Sequence, residues 1–136
     1  MSSLDDIRTL ARPCEVPDAG IVCDLLWSDP DSAVQGWKSS PRGVSYLFGH
    51  DVLKSFMDHF GFDLVVRAHQ VVEDGYEFAA NRALVTIFSA PNYCGSFDNA
   101  AACLSIGEGL VCSFHVIPAS LRSKKEERTR RIKTWD

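Results

Sequence analysis

No two of the five cysteines (Cys14, Cys23, Cys94, Cys103, Cys112) lie two residues apart, and their number is odd. Neither a zinc clip nor a disulfide framework is indicated, and reduced thiols fit best. No apolar run approaches the roughly 18 residues of a membrane span, and Met1–Asp6 has neither a basic nor an apolar leader region. The expectation is a soluble intracellular protein. Basic residues are scarce in the body, where residues 1–119 hold 7 Lys/Arg against 15 Asp/Glu. An acidic surface repels nucleic acid and favours cations or basic peptides. Low-complexity stretches and internal repeats are absent too.

What is present is a chain of 136 residues, 46% hydrophobic and 24% charged, enough for one domain with one core. Residues 120–136 reverse the balance with 7 basic residues against 3 acidic ones, so residues 119–136 read as a basic, flexible tail.

Ser3 and Asp6 resemble a capping box, and with Ile7 and Leu10 they predict a helix over about 4–12, before Pro13. From Pro13 to Gly49, prolines and glycines interrupt short apolar runs such as Ile21–Cys23 and Leu25–Trp27, predicting a strand or two in long loops. Val52, Leu53, Phe56, Met57 and Phe60 fall on one helical face and Gly61 follows as a cap, predicting a helix over about 51–60. Residues 63–68, 83–88 and 103–106 have strand composition, and Gly107–Gly109 turns into a final strand, 110–117. In that strand Cys112, Phe114 and Val116 make an apolar face opposite Val111, Ser113 and His115.

Among candidates for chemistry, His69 directly follows a strand, where side chains project into clefts, and a neutral imidazole ligates divalent metals well. The competing reading is a half-buried structural histidine, a description that fits His50, His59 and His115 better, although His50 and His59, flanking or within the helix, look exposed. Ser89–Gly95 ends a strand in a turn-rich loop bearing Tyr93 and Cys94, the form of a substrate-facing segment. Arg42, between Pro41 and Gly43, presents a guanidinium able to grip a phosphate by two parallel bonds, although most loop arginines are simply solvated. Asp24, Asp29, Asp31, Asp63 and Asp98 lack the spacing of a metal loop and read as structural or solvated. A catalytic metal centre needs at least three protein ligands, and one good ligand falls short.

Four strings, Cys23–Asp31, Pro41–Val44, Arg67–Gln70 and Phe88–Gly95, together resemble the phosphoprotein phosphatase family. Val71–Phe78, Phe97–Ala100 and Leu110–Phe114 look like its type 1 enzymes rather than type 2A or calcineurin, and the resemblance covers about residues 3–117. It implies an α/β fold, a central β-sandwich flanked by helices, of which residues 1–118 form the C-terminal half. It also implies hydrolysis of phosphoserine and phosphothreonine in phosphoprotein substrates with two divalent metal ions (manganese, iron or zinc), in cytoplasm and nucleus, without direct nucleic-acid or membrane partners.

By that resemblance His69 is a metal ligand, Arg42 holds the substrate phosphate, Tyr93 lines the cleft and Cys94 lies near where cyclic-peptide toxins bind. Asp63, Leu64, Phe78, Leu110, Cys112 and Phe114 match the groove that docks RVxF motifs of regulatory subunits by strand addition. The sequence departs from the family in lacking its Gly-Asp-x-His-Gly, Gly-Asp-x-x-Asp-Arg-Gly and Gly-Asn-His-Glu signatures, in having Ser96 where an acidic residue is usual, and in its tail. The expectation is that this chain alone is inactive, does not retain the metal pair, and exposes strand edges and an apolar face. The alternative function is a noncatalytic fragment that binds regulatory subunits.

Overall fold

In the computed structural model, which describes residues 1–119, the chain divides into two compact units, the first running from Met1 to Asp63 and the second beginning at Leu64. The basic tail expected at 119–136 lies, Ala119 aside, outside the described residues.

The first unit opens with helix α1 (Asp5–Arg8), shorter than the predicted 4–12. The reciprocal arm of the capping box is present, Asp6 accepting the backbone N–H groups of Ser2 and Ser3 at 2.9 and 3.2 Å. α1 buries no residue, and a single turn without a buried face has nothing to repay further ordering.

Helix α2 (Ile21–Trp27) is an addition to the sequence reading, which expected only a strand or two in long loops between Pro13 and Gly49. Short apolar runs are ambiguous between strand and helix. Here Gly20, at φ 95, breaks the preceding chain and its carbonyl accepts Asp24 N–H at 2.9 Å. Seven residues free of Gly and Pro then turn one side chain, Cys23, fully inward.

Three short strands follow: β1 (Asp29–Pro30), β2 (Trp37–Ser39) and β3 (Tyr46–Phe48), in the order β1-β3-β2. β1 runs parallel to β3 with Asp29 opposite Leu47, and β2 runs antiparallel with Trp37 opposite Phe48.

Helix α3 (His50–Phe60) matches its prediction to within a residue. Leu53 and Met57 are its buried positions. Gly61 adopts the left-handed conformation, and Phe62 N–H returns to the Met57 carbonyl at 3.0 Å, the six-to-one bond of a Schellman end. Phe62 also packs its ring on Phe56 at 5.7 Å, the hydrophobic contact that accompanies this motif. At the other end, Asp51 accepts Gly36 N–H through both oxygens, placing an acid where the helix dipole favours it.

The second unit contains β4 (Val65–Arg67), β5 (Tyr76–Ala79) and β6 (Leu84–Ile87), ordered β4-β6-β5. β6 is central, parallel to β4 and antiparallel to β5, and Leu84, Val85 and Thr86 are all buried. A strand covered on both faces reads as a near-continuous apolar run, here Leu84, Val85 and Ile87 interrupted only by Thr86. β5 was not anticipated as a strand.

The unit closes with the hairpin of β7 (Ala101–Ile106) and β8 (Cys112–Ile117), in which Leu104 faces Phe114 and Cys103 faces His115. β7 starts two residues before the predicted strand because Ala101 and Ala102 are small enough to be buried. Of the apolar face expected on β8, Phe114 is half-buried while Cys112 and Val116 are exposed. Ile106, Leu110, Val111 and Ile117 are also exposed. No helix among the described residues is long and apolar enough to cross a membrane.

Candidate functional site

In the first unit the loop between β2 and β3 carries Arg42. Ser40 shapes that loop: its N–H bonds the Ser45 carbonyl, its carbonyl accepts Gly43 N–H, and its hydroxyl accepts Arg42 N–H, all at 3.2 Å. Ser45, at φ 59, donates its hydroxyl to Asp24 Oδ1 at 2.8 Å, which ties the loop to α2.

The Arg42 side chain turns toward Asp29, with Nε 2.6 Å from Oδ2. Asp29 is almost fully buried, its side chain 4% exposed, whereas that of Arg42 is 35% exposed. A buried carboxylate thus holds the stem end of the guanidinium. Among the described residues the two terminal amino groups form no hydrogen bond, which leaves them for an anion.

His69 belongs to the second unit and follows β4 at φ 78, a left-handed conformation costly for a residue with a Cβ. The turn is braced by Arg67, whose Nη1 donates to Gln70 Oε1 at 2.7 Å. The histidine is half-buried, with Nε2 shielded from solvent, while His50, His59 and His115 are exposed. His50 and His59 are thus exposed as their places at and on α3 suggest, and the half-buried histidine is His69 where His115 was the better candidate.

The second candidate loop runs from Ser89 to Phe97. Tyr93 begins a short 3-10 turn, Tyr93–Gly95, and is 43% exposed, its ring edge-on to Phe88 at 5.0 Å. Cys94 is exposed at φ 55, followed directly by left-handed Gly95 (φ 67) and separated by Tyr93 from left-handed Asn92 (φ 50). Asn99, 3% exposed, accepts Tyr93 N–H at 3.0 Å and donates to the carbonyls of Ala90 at 2.9 Å and Ala100 at 2.8 Å.

Of the six docking candidates, Asp63 ends the first unit, exposed, and the other five lie in the second. Phe78 meets Phe114 edge-on at 5.8 Å, and Tyr76 stacks flat on Phe114 at 4.0 Å. Arg82 caps Phe78 with its guanidinium 4.3 Å from the ring centre. Cys112 Sγ lies 3.6 Å from the Leu110 carbonyl, while Leu64 is half-buried just before β4. Leu110 is 76% exposed, in a left-handed turn residue at φ 62.

Cys23 is the thiol least suited to chemistry. Burial pushes its pKa up, and the neighbouring charges of Asp24 and Asp18 push the same way.

Among the described residues no group of three or more His, Cys, Asp and Glu side chains is placed to hold a metal ion. The donor set of these residues therefore does not by itself fit the two ions implied by the resemblance, and His69 is one ligand of such a set at most.

Two residues that support the candidate loops were not singled out from the sequence. Asp29 was read as structural or solvated, and the signal available was a lone acid opening a strand shortly before a loop arginine. Asn99 figured only inside a matched string, and nothing in its neighbours marks a buried amide.

Residues 1–73 match the calcineurin-like phosphoesterase family. Among solved structures, the chain is similar to a protein serine/threonine phosphatase from Saccharomyces cerevisiae, itself described as similar to human phosphatase PP5. That likeness has a TM-score of 0.76 and 26% sequence identity, and covers 86% of this chain and 40% of the yeast one, so this sequence spans less than half of that relative's length. The chain, with its mixed α/β fold of small sheets, belongs to the calcineurin-like phosphoesterase family.

Proposed function

We propose that this chain is part of a metal-dependent protein serine/threonine phosphatase of the type 1 class. In this reading Arg42 grips the substrate phosphate, His69 contributes one ligand to a metal pair of manganese, iron or zinc, and Tyr93 borders the cleft. By itself the chain binds phosphoester groups but does not turn them over, because one imidazole makes no metal centre.

The observation that carries the reading is the pairing of Arg42 with Asp29. The buried acid fixes Nε and leaves the two amino groups directed as a fork, the arrangement suited to two phosphate oxygens. A solvated loop arginine would have no such anchor.

The test is fluorescence anisotropy of a labelled phosphoserine peptide against the full chain, with its unphosphorylated twin as control. The wild type favours the phosphorylated peptide, and Arg42→Ala weakens that preference about tenfold, the order expected for a charged hydrogen-bonded contact. Equal binding of both peptides by the wild type would sink the reading.

A second reading is supported by the ring cluster of Tyr76, Phe78 and Phe114 beside exposed Leu110 and Cys112. We propose that this part of the second unit docks the RVxF motif of regulatory subunits, the peptide adding a strand to a sheet edge. A peptide bearing the motif binds the chain, and replacing its Val and Phe by Ala abolishes binding. Unchanged binding after that replacement removes the proposal.

A further inference from the structure

The conformation of the Ser89–Phe97 loop is not one that Cys94, at its centre, favours. Asn92 and Gly95, at φ 50 and 67, are residue types that enter the left-handed region readily, but Cys94 is held there too, at φ 55, which such a side chain seldom adopts. The bonds internal to this loop, Gly95 N–H to the Asn92 carbonyl and Phe97 N–H to the Tyr93 carbonyl, follow from the conformation and do not select it. Something outside the turn must hold it.

Asn99 does so with every polar atom of its amide. Oδ1 takes Tyr93 N–H, Nδ2 gives one proton to Ala90 and one to Ala100, and the Asn99 main-chain carbonyl accepts Asn92 N–H at 3.0 Å. Three backbone groups of the loop, spread from Ala90 to Tyr93, thus end on one residue. That residue is buried, where an unmade hydrogen bond is costly, so the arrangement is self-enforcing.

The strut is anchored in turn. Ala100 N–H bonds the Glu73 carbonyl at 2.8 Å and Ala102 N–H bonds the Phe88 carbonyl at 2.9 Å, fixing the chain just beyond Asn99 to the segment before β5 and to the end of β6. The load therefore passes from the loop through Asn99 into the sheet.

We propose that Asn99 is the positioning residue of the substrate-facing loop, holding Tyr93 and Cys94 in the one conformation that reads the phosphoester substrate. The proposal rests on the reading above that Tyr93 borders the cleft.

The experiment uses the full chain as wild type, Asn99→Ala and Asn99→Asp. Three things are measured: amide hydrogen exchange at Asn92–Tyr93 and in β6, the rate of Cys94 alkylation by iodoacetamide, and affinity for the phosphoserine peptide. In Asn99→Ala, exchange at Tyr93 accelerates about tenfold, as for one lost hydrogen bond, while β6 keeps its protection. The alkylation rate of Cys94 changes with it, and peptide affinity falls by a similar factor. Asn99→Asp, which burial against the Ala90 and Ala100 carbonyls favours in its protonated form, keeps the acceptor for Tyr93 N–H and one of the two donors, so it lies between. It also carries the test if Asn99→Ala does not fold.

Unchanged exchange at Tyr93, or loss of protection in β6 along with the loop, overturns the proposal by making Asn99 either idle or a general core residue. A wild type that binds phosphopeptide, with variants whose loop exchanges faster yet bind equally well, overturns the positioning role alone. A wild type that shows no preference for phosphopeptide overturns the underlying functional reading and this proposal with it.

Discussion

Replacing Arg42 by Ala tests the account at its best-defined contact. The substitution leaves Asp29 as a buried carboxylate without its guanidinium, and removing one partner of a fully buried pair costs about 3–5 kcal/mol. Asp29 meets that condition, but Arg42 is 35% exposed and partly screened by water, so about half that figure is appropriate, near 2 kcal/mol. In urea denaturation followed by tryptophan fluorescence, the midpoint then falls by about 1 M. Asp29→Asn removes the charge that Arg42 compensates while nearly keeping the side-chain shape. The double variant is therefore less unstable than the two single losses added together, with a coupling of about 1 kcal/mol. If Arg42→Ala shifts stability by less than about 0.5 kcal/mol and the cycle shows no coupling, the pair behaves as a surface ion pair. Asp29 would then not be what aims the guanidinium.

Other consequences concern the scaffold. Gly75 and Gly61 both hold left-handed φ, 78 and 67, but a Cβ at Gly75 would collide with the Ala101 backbone whereas at Gly61 it meets open space. Gly75→Ala should destabilise by about 3 kcal/mol in urea melts and Gly61→Ala by about 1, and equal losses would refute the close-approach argument. Asp6 has its carboxyl pKa lowered below the ordinary 3.8, first by the Ser3 N–H and then by that of Ser2. The stability it adds is present above that ordinary value and is lost as pH falls through the lower folded one. The gap between wild type and Asp6→Asn should accordingly close in acid, and a gap that persisted or widened there would contradict the cap. Cys94 should alkylate readily with iodoacetamide and Cys23 last of the five thiols, as peptide mass spectrometry would show.

What the sequence disclosed and concealed follows from the range of the forces involved. α3 was legible because its apolar stripe and Gly61 cap are local signals that agree. α2 was not, because Ile21–Trp27 carries too few turns for a period to emerge, and only the burial of Cys23 decides the matter. β5 was hidden in a stretch read for its likeness to a family and not for its alternation, though Tyr76 and Phe78 sit two apart around Glu77 and both rings reach Phe114. Arg42, His69 and Tyr93 could be nominated from residue type and position. Their supports could not, since Asp29 lies thirteen residues from Arg42 in the chain and Asn99 six from Tyr93, and both act through burial, which sequence spacing does not report.

The central claim, that this chain carries phosphate-recognising parts of a phosphatase without a complete metal centre, is tested most directly by phosphate release. The purified full chain is incubated with a phosphoserine peptide and manganese, and inorganic phosphate is followed over time beside an Arg42→Ala/His69→Ala control. The account predicts binding of the peptide with release no faster than in the control. Turnover by the wild type that disappears in the control would show a working metal site within these 136 residues and contradict it.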